Sequence, residues 1–407
     1  MAPPVILFGA FDRHNVGDLL FAQVAAALLP GRRLLYAGLA DRDLRPCGGH
    51  QVVALRRLAA GAQAAGATLL HVGGELLTCS AWQAAVMLLP ADEAPAAIGY
   101  LAQRPAECRA WLQRLFGSDE QAPYVVSRQQ HPGLARVVFS AVGGADLDHA
   151  DPALRAEVLG KLRAADALSV RESRTAAHLA AAGIAAAVVP DPAVMTAELF
   201  GETIARAAAA GEAAALRGAW AAGYLAVQFS AEFGDHGSLR EIARQLDQVC
   251  AASGLGVALF RAGAAPWHDT LAGLEQVAAW MRPGAARVLR SPDLWPVCAL
   301  IAGSRGFCGS SLHGRIVAAA FGLPRLNLRA PVAAARSGKQ AAYAATWDAA
   351  GAPAEVELPA IASGLQAALA RPAALLRQQA REQAAVYRQA FACLLYTSPS
   401  PRDRQKS

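Results

Sequence analysis

The most polar cluster of this apolar chain is "GSSLHGRIV", residues 309–317, which follows the apolar stretch "RGFCG" and leads into an alanine-rich segment. The pattern predicts a strand that turns into a helix, so the first N–H groups of the helix would face a bound phosphate or carboxylate. Ser310 and Ser311 would cap the helix or donate to the anion. His313, in the first turn of the predicted helix, would reach the same space, and Arg315 follows two residues later. The alternative is an ordinary serine cap beside a structural histidine.

Charged residues also end two other predicted strands, Arg171 in "ALSVRES" and Asp191 in "VVPDPAV". A guanidinium at a strand end can hold a carboxylate through two hydrogen bonds. A carboxylate there can orient a sugar hydroxyl or act as a base. The alternative is that Arg171 pairs with Glu172 or Asp191 and only ties the strand ends together, with Asp191 opening a turn.

The first predicted strand-to-helix turn, "FDRHNVGDLL", contains Asn15, Gly17 and Asp18. Glycine lets the backbone approach a ligand, and an acid at a helix start is stabilised by the helix dipole. Asp18 suits sugar hydroxyls better than phosphate, unless the segment is only a capped turn. His14 is a weaker candidate for a base.

Three further strand ends carry weaker signals. Ser230, in "FSAEFGDHG", is expected to reach the donor substrate, and Glu75, in "HVGGELL", is a minor acid candidate. The glycine pairs of "HVGGELL" and "AVGGADL" lack the third glycine of a dinucleotide fingerprint, so nicotinamide binding is not supported.

The elements that must position these residues alternate between apolar strands and amphipathic helices, which is typical of parallel sheets covered on both faces. The sequence predicts an α/β protein with two Rossmann-like doubly wound domains facing a cleft, a GT-B-like arrangement. The first domain would span 1–195, a helical bridge 196–220 and the second domain, with a closing helix, 221–393. We expect residues 394–407 to be unpacked, because "LLYTSPSPRDRQKS" resembles translated adapter sequence or a disordered tail.

Composition excludes several classes of protein. Hydrophobic residues make up 54% of the 407 residues and charged residues 17%, so large cores are expected. The net charge of +6 comes from scattered arginines, which favours a small anionic substrate over nucleic acid. Seven cysteines without a Cys-x-x-Cys pair predict reduced thiols, a cytoplasmic location and neither a metal site nor disulfides. No apolar run is long enough to span a membrane.

Three stretches together resemble the polysaccharide pyruvyl transferase family: residues 15–29, 168–194 and 305–328. The first has the family's Asn-x-Gly-Asp form, and the second has its arginine followed by an acid. Many family members have arginine where this chain has Ser311, so part of the anion-binding charge would come from Arg315. The resemblance implies paired Rossmann-like domains and catalytic roles for His313, Arg171 and Asp18, with His313 as the general acid.

The resemblance also implies a reaction. The enolpyruvyl carbons of phosphoenolpyruvate would be transferred to two hydroxyls of a sugar, giving a pyruvate ketal and phosphate, with no further cofactor. The acceptor would be a cell-surface polysaccharide (exopolysaccharide) or a lipid-linked oligosaccharide precursor, which would bring the protein into transient contact with a membrane surface. We expect the first domain to present the acceptor and the second the donor.

Two alternatives stay open at this point. A GT-B glycosyltransferase that uses a nucleotide sugar would have the same fold, so the fold cannot decide between them. A catalytically silent glycan-binding or anion-binding homologue is consistent with serine at position 311. Stabilisation by phosphoenolpyruvate, but not by nucleotide sugars, would separate these alternatives from pyruvyl transfer.

Overall fold

The computed structural model describes residues 3–61, 64–331, 338–349 and 355–396. Within these ranges an eight-stranded sheet is formed by residues of the first half of the chain. Its strands are β1 (Val5–Phe8), β2 (Leu34–Gly38), β3 (Arg42–Asp43), β4 (Gln51–Ala54), β5 (Thr68–His71), β6 (Arg136–Val142), β7 (Ala167–Val170) and β8 (Ala187–Val188). Their order is β3-β4-β2-β1-β5-β6-β7-β8, and only the pairing of β3 with β4 is antiparallel.

Helices connect these strands, as apolar parallel strands require for burial of both sheet faces. They are α1 (Val16–Ala27), α2 (Leu55–Ala59), α3 (Ala81–Met87), α4 (Ala94–Leu101), α5 (Pro105–Phe116), α6 (Pro152–Arg163) and α7 (Ser173–Ala181). Two more, α8 (Thr196–Ala208) and α9 (Gly211–Arg217), lie between the last strand of this sheet and the first strand of the next.

The second sheet has five described strands, all parallel, in the order β11-β10-β9-β12-β13. They are β9 (Tyr224–Gln228), β10 (Gly256–Phe260), β11 (Ala286–Leu289), β12 (Gly306–Gly309) and β13 (Arg325–Asn327). The helices of this half are α10 (His236–Ser253), α11 (Leu271–Trp280), α12 (Leu294–Ala302), α13 (Leu312–Ala320), α14 (Lys339–Trp347), α15 (Ile361–Leu369) and α16 (Ala373–Tyr396).

This architecture confirms the predicted fold class, an α/β protein of the GT-B type with two Rossmann-like sheets. The predicted domain limits at 195 and 220 stay predictions, although α8 and α9 fall between them. No helix in the described ranges is long and apolar enough to cross a membrane.

The loop after β1 contacts the loop after β10 and so joins the two halves. Val16 N–H donates to the carbonyl of Ala262 at 2.8 Å, and Ala264 N–H donates to His14 Nδ1 at 3.0 Å. His14 Nε2 therefore carries the proton and donates to the carbonyl of Pro292 at 2.6 Å. Both ring nitrogens of His14 are engaged between the halves, which corrects its candidacy as a base.

The closing helix α16 returns from the second half to the first. Tyr387 Oη lies 3.3 Å from Ser140 Oγ of β6, and Leu394 packs against the main core. Arg136 donates to the carbonyl of Leu394 at 3.4 Å. The prediction that packing ends near Leu394 is therefore corrected, because an apolar side chain extends the buried face of the helix. The rest of the predicted tail, 397–407, lies outside the described residues.

Candidate functional site

A cavity of about 570 Å³ lies between the carboxyl ends of the two sheets. It is where a doubly wound fold is expected to bind its ligand. Most of the predicted site residues line it: Asn15, Asp18, Arg171, Ser230, Ser310, Ser311 and His313. Gly17 and Asp191 lie against His313, and Arg315 points elsewhere.

The turn between β12 and α13 is held by its own serines. Ser311 is the N-cap of α13, and its Oγ accepts from Gly314 N–H at 3.1 Å. Ser310 Oγ accepts from Ser230 N–H at 2.9 Å. Gln228, at the end of β9, accepts from Ser311 N–H at 2.8 Å. The two hydroxyls therefore shape the turn, and the N–H groups of Ser311 and Gly314 are also engaged within the protein.

His313 lies in the first turn of α13 and packs between elements of both halves. Its ring meets Phe21 edge to face at 5.0 Å. A Cβ on Gly17 would lie only 1.9 Å from His313 Nδ1, so the ring occupies space that only glycine leaves free. His313 Nε2 is buried, has no hydrogen-bond partner among the described residues and lies 3.8 Å from Asp191 Oδ2.

The surroundings of His313 keep its imidazole neutral. Burial lowers its pKa well below the usual value, and the charges of Arg171 and Lys339 lower it further. Charged histidine is disfavoured both by loss of water and by nearby cations. His313 is therefore an unprotonated base at neutral pH.

Arg171 is almost completely buried, with 1% of its surface exposed, and is surrounded by three carboxylates. Its guanidinium donates to Asp191 at 3.1 Å and to Glu75 at 2.5 Å, and Nε lies 3.6 Å from Glu172. Burial raises the pKa of Glu172 to about 7 despite this cation. The expectation that Arg171 grips a donor carboxylate is corrected, because its donors already hold the protein's own carboxylates.

Asp191 lies behind His313 and links it to Arg171. One of its oxygens accepts from Ala193 N–H at 3.0 Å, and the other faces both Arg171 and His313. Burial raises the pKa of Asp191, although Arg171 opposes this. Asp191 was predicted to orient a sugar hydroxyl, but its carboxylate instead lies behind the imidazole of His313.

Arg315 is directed away from the cavity and forms a buried ion pair with Asp348, which also pairs with Arg325. This corrects its expected role in anion binding. The reason is helical geometry, since residues two positions apart on an α-helix point about 200° apart. His313 and Arg315 cannot both face the cavity from α13.

Arg13 is a cationic residue of the cavity wall that was not predicted from the sequence. Its side chain is 9% exposed and lies 3.7 Å from Asp18, with its guanidinium 5.4 Å from the ring centre of Tyr124. Nε and Nη1 are buried, and neither has a hydrogen-bond partner in the part of the chain that is described. Its place directly before the "HNVGD" turn was the available signal.

Asp18 faces the cavity at the start of α1, where Asn15 Oδ1 caps the helix by accepting from Gly17 and Asp18 N–H. Burial raises the pKa of Asp18 to about 6, while Arg13 and Lys339 oppose the shift. The carboxylate is therefore the main form at neutral pH, yet it gains a proton readily.

Two more groups line the cavity from the second half. Lys339 begins α14, and His268 follows β10. Burial lowers the pKa of His268 to about 4, with Arg13 and Lys339 adding to the effect. Among the residues that the structure describes, no group of three or more His, Cys, Asp or Glu side chains is placed to hold a metal ion.

The family model described as polysaccharide pyruvyl transferase matches residues 149–329. This confirms the resemblance over the segment that contains Arg171, Asp191 and His313, and it supports a transferase of polysaccharide biosynthesis. None of the curated proteins matches this chain.

Solved structures are similar over nearly the whole chain. UDP-GlcNAc 2-epimerase from Neisseria meningitidis, bound to UDP-GlcNAc, is 10% identical, with a TM-score of 0.54 over 97% of this chain and 99% of that one. The Methanocaldococcus jannaschii enzyme is 10% identical, with a TM-score of 0.55 over 98% and 100%. An Anabaena protein in complex with UDP and glucose is 11% identical, with a TM-score of 0.52 over 96% and 98%. At these identities the likeness shows the fold alone.

The contact between Gly17 and His313 generates the first prediction. Gly17→Ala should lower the free energy of unfolding by about 1–3 kcal/mol, because the new methyl group overlaps the imidazole. Thermal denaturation measures the loss. Gly160→Ala is the matched control, since a Cβ there meets no described atom within 4 Å; it should be neutral or slightly stabilising. Equal stability of the two variants would contradict the packing.

The raised pKa of Asp18 generates the second prediction. A carboxyl whose pKa rises on folding stabilises the protein below its unfolded pKa and loses that contribution as the pH passes through about 6. Asp18→Asn should therefore stabilise the protein at pH 8, by up to about 3 kcal/mol, and the gain should vanish below about pH 4. Melting temperatures across this range test it.

The control for Asp18 is Asp43, an exposed carboxyl whose pKa is lowered to about 2 by hydrogen bonds from Arg45. Asp43→Asn should show no stabilisation at pH 8. A destabilised Asp18→Asn at pH 8 would show that the charged form of Asp18 is favoured by the fold.

Proposed function

We propose that this cavity transfers the pyruvyl group of phosphoenolpyruvate to two hydroxyls of a sugar in a cell-surface polysaccharide or its precursor. One observation carries the proposal. The segment matched by the family model contributes His313 to a cavity that Arg13 and Asp18 also line. A cation and two titratable groups thus line one cavity.

The donor substrate carries a carboxylate and a phosphate, and both need cationic or N–H partners. The Nε and Nη1 atoms of Arg13 are buried donors that find no acceptor among the described residues. Such donors gain most from a ligand that is itself charged. We assign the donor carboxylate or phosphate to Arg13, and the remaining negative charge to Lys339 and the first turn of α13.

His313 is the group that we assign to protonate C3 of the donor. Its pKa is low because the ring is buried and because Arg171 and Lys339 repel a further positive charge. A bound phosphoenolpyruvate brings more than two negative charges and reverses that field, so the imidazole gains a proton as the donor binds. Asp191 lies 3.8 Å from Nε2 and stabilises the imidazolium.

The transfer then proceeds with balanced atoms and charges. One sugar hydroxyl oxygen bonds to C2 as C3 accepts a proton, which converts the methylene to a methyl group. The C2–O bond to phosphate breaks, and the second hydroxyl oxygen bonds to C2. Of the two hydroxyl protons, one replaces the proton delivered to C3 and the other leaves with inorganic phosphate. Asp18, with its pKa of about 6, accepts the hydroxyl protons.

Ligand stabilisation and phosphate release test the proposal. Phosphoenolpyruvate at about 100 times its dissociation constant should stabilise the protein by about 2.7 kcal/mol, seen as a higher melting temperature. UDP-GlcNAc should cause no such shift. With a panel of bacterial glycans, inorganic phosphate should appear only in the presence of acceptor.

Arg13→Met tests the assigned anion site, and Arg104→Met is its control. Arg13→Met should abolish the shift caused by phosphoenolpyruvate, whereas Arg104, a surface arginine stacked on Tyr100, should leave it unchanged. Stabilisation by UDP-GlcNAc instead of phosphoenolpyruvate would favour the glycosyltransferase alternative. Binding of phosphoenolpyruvate without turnover on any acceptor would favour a silent anion-binding protein.

A further prediction concerns the role of His313. His313→Gln keeps a hydrogen-bonding group but removes the transferable proton, so kcat should fall by about 100- to 10,000-fold. The KM for phosphoenolpyruvate should change by only a few fold. Arg13→Met should show the opposite pattern, with its main effect on the KM for the donor. Near-normal kcat in His313→Gln at saturating donor would make His313 part of an anion cradle.

A further inference from the structure

Trp267 is an exposed aromatic residue in the wall of the cavity, on the loop that follows β10. Its side chain is 47% exposed, unusually high for an indole in a folded protein. The proposed chemistry uses only charged and titratable groups and gives this indole no role.

The backbone at Trp267 is strained. Its φ of 66° falls in the left-handed region that favours glycine. His268 N–H donates to the carbonyl of Ala265 at 3.1 Å, which closes a tight turn with Pro266 and Trp267 at its centre. A bulky residue is disfavoured at such a position, and strain of this kind clusters at functional sites.

The turn is rigid and has a polar neighbour. His268 Nδ1 lies 3.1 Å from the carbonyl of Pro266, and the carbonyl of His268 accepts from Ala231 N–H at 2.9 Å. The hydrogen bond from Ala231 places the loop after β9 next to the turn that contains Trp267. That loop contributes Ser230 and the exposed Glu232 to the same cavity wall.

We propose that Trp267 is the stacking platform for the sugar ring of the acceptor, with Glu232 accepting hydrogen bonds from its hydroxyls. A pyranose presents C–H groups on its faces and hydroxyls at its edge, and a flat aromatic surface beside a carboxylate matches both. Phosphoenolpyruvate is too small and too charged to use an indole face. The carboxylate also disfavours a nucleoside diphosphate, whose charge it would repel.

This inference rests on the proposed function, and it assigns the acceptor to the second half of the chain. The sequence analysis had expected the first half to present the acceptor. The donor then lies toward Arg13 of the first half, and His313 stands where the two substrates meet. The exposed Trp267 and Glu232 define the acceptor side of the cavity.

Binding of simple glycosides tests the platform without requiring turnover. The probes are methyl pyranosides of glucose, galactose and mannose, followed by intrinsic tryptophan fluorescence and by saturation-transfer NMR. At least one should bind the wild-type protein, and Trp267→Ala should weaken that binding tenfold or more. Trp267→Phe, which keeps a flat ring, should stay within about threefold of wild type.

Tyr100→Ala is the matched control, because Tyr100 is 52% exposed but lies on α4. It should bind the glycosides as the wild-type protein does. Glycoside affinity that is equal in wild type and Trp267→Ala, including no measurable binding by either, overturns the proposal. Uridine binding that depends on Trp267, without glycoside binding, also overturns it, since the indole would then hold a base.

The same variants separate this inference from the proposed function. Stabilisation by phosphoenolpyruvate with an unchanged acceptor KM in Trp267→Ala would overturn the platform and leave pyruvyl transfer standing. Glycoside binding that depends on Trp267, without any response to phosphoenolpyruvate, would support the platform and overturn pyruvyl transfer. Far-ultraviolet circular dichroism of Trp267→Phe and Trp267→Ala confirms that each variant is folded.

Discussion

The buried guanidinium of Arg171 organises the candidate site. It draws together Glu75 from the loop after β5, Glu172 directly after β7 and Asp191 after β8. A buried cation is costly unless it is paired, so these carboxylates are held tightly in place. Through Asp191 this cluster reaches His313 of the second half, and Trp347 of α14 donates to the carbonyl of Arg171 at 2.7 Å.

Burial and charge together set the protonation states in the cavity. Loss of water lowers the pKa of His313 and raises that of Asp18 to about 6. Burial therefore favours the uncharged form of both side chains. An anionic donor shifts this balance because it approaches Arg13 and Lys339 and offsets their charge.

The fold was predictable because its signals are local. Apolar strands followed by amphipathic helices predict a doubly wound sheet wherever they occur, and the carboxyl ends of such strands predict where the ligand binds. Asn15, Asp18, Ser311 and His313 stand at strand-to-helix turns, and the structure places all four in the cavity wall. The end of the closing helix was missed because Leu394 contacts residues that are distant in sequence.

The sequence by itself determined the fold class, the strand ends that line the cavity and the resemblance to a transferase family. Only the tertiary structure decided which side chains of the cavity are already paired within the protein. Arg171 and Arg315 had the right residue type and position, yet their donors are taken by Glu75, Asp191 and Asp348. Arg13 and Trp267 were not among the candidate residues predicted from the sequence, yet they line the cavity. The physical reason is that a side chain's partners come from remote segments, and periodicity carries no information about them.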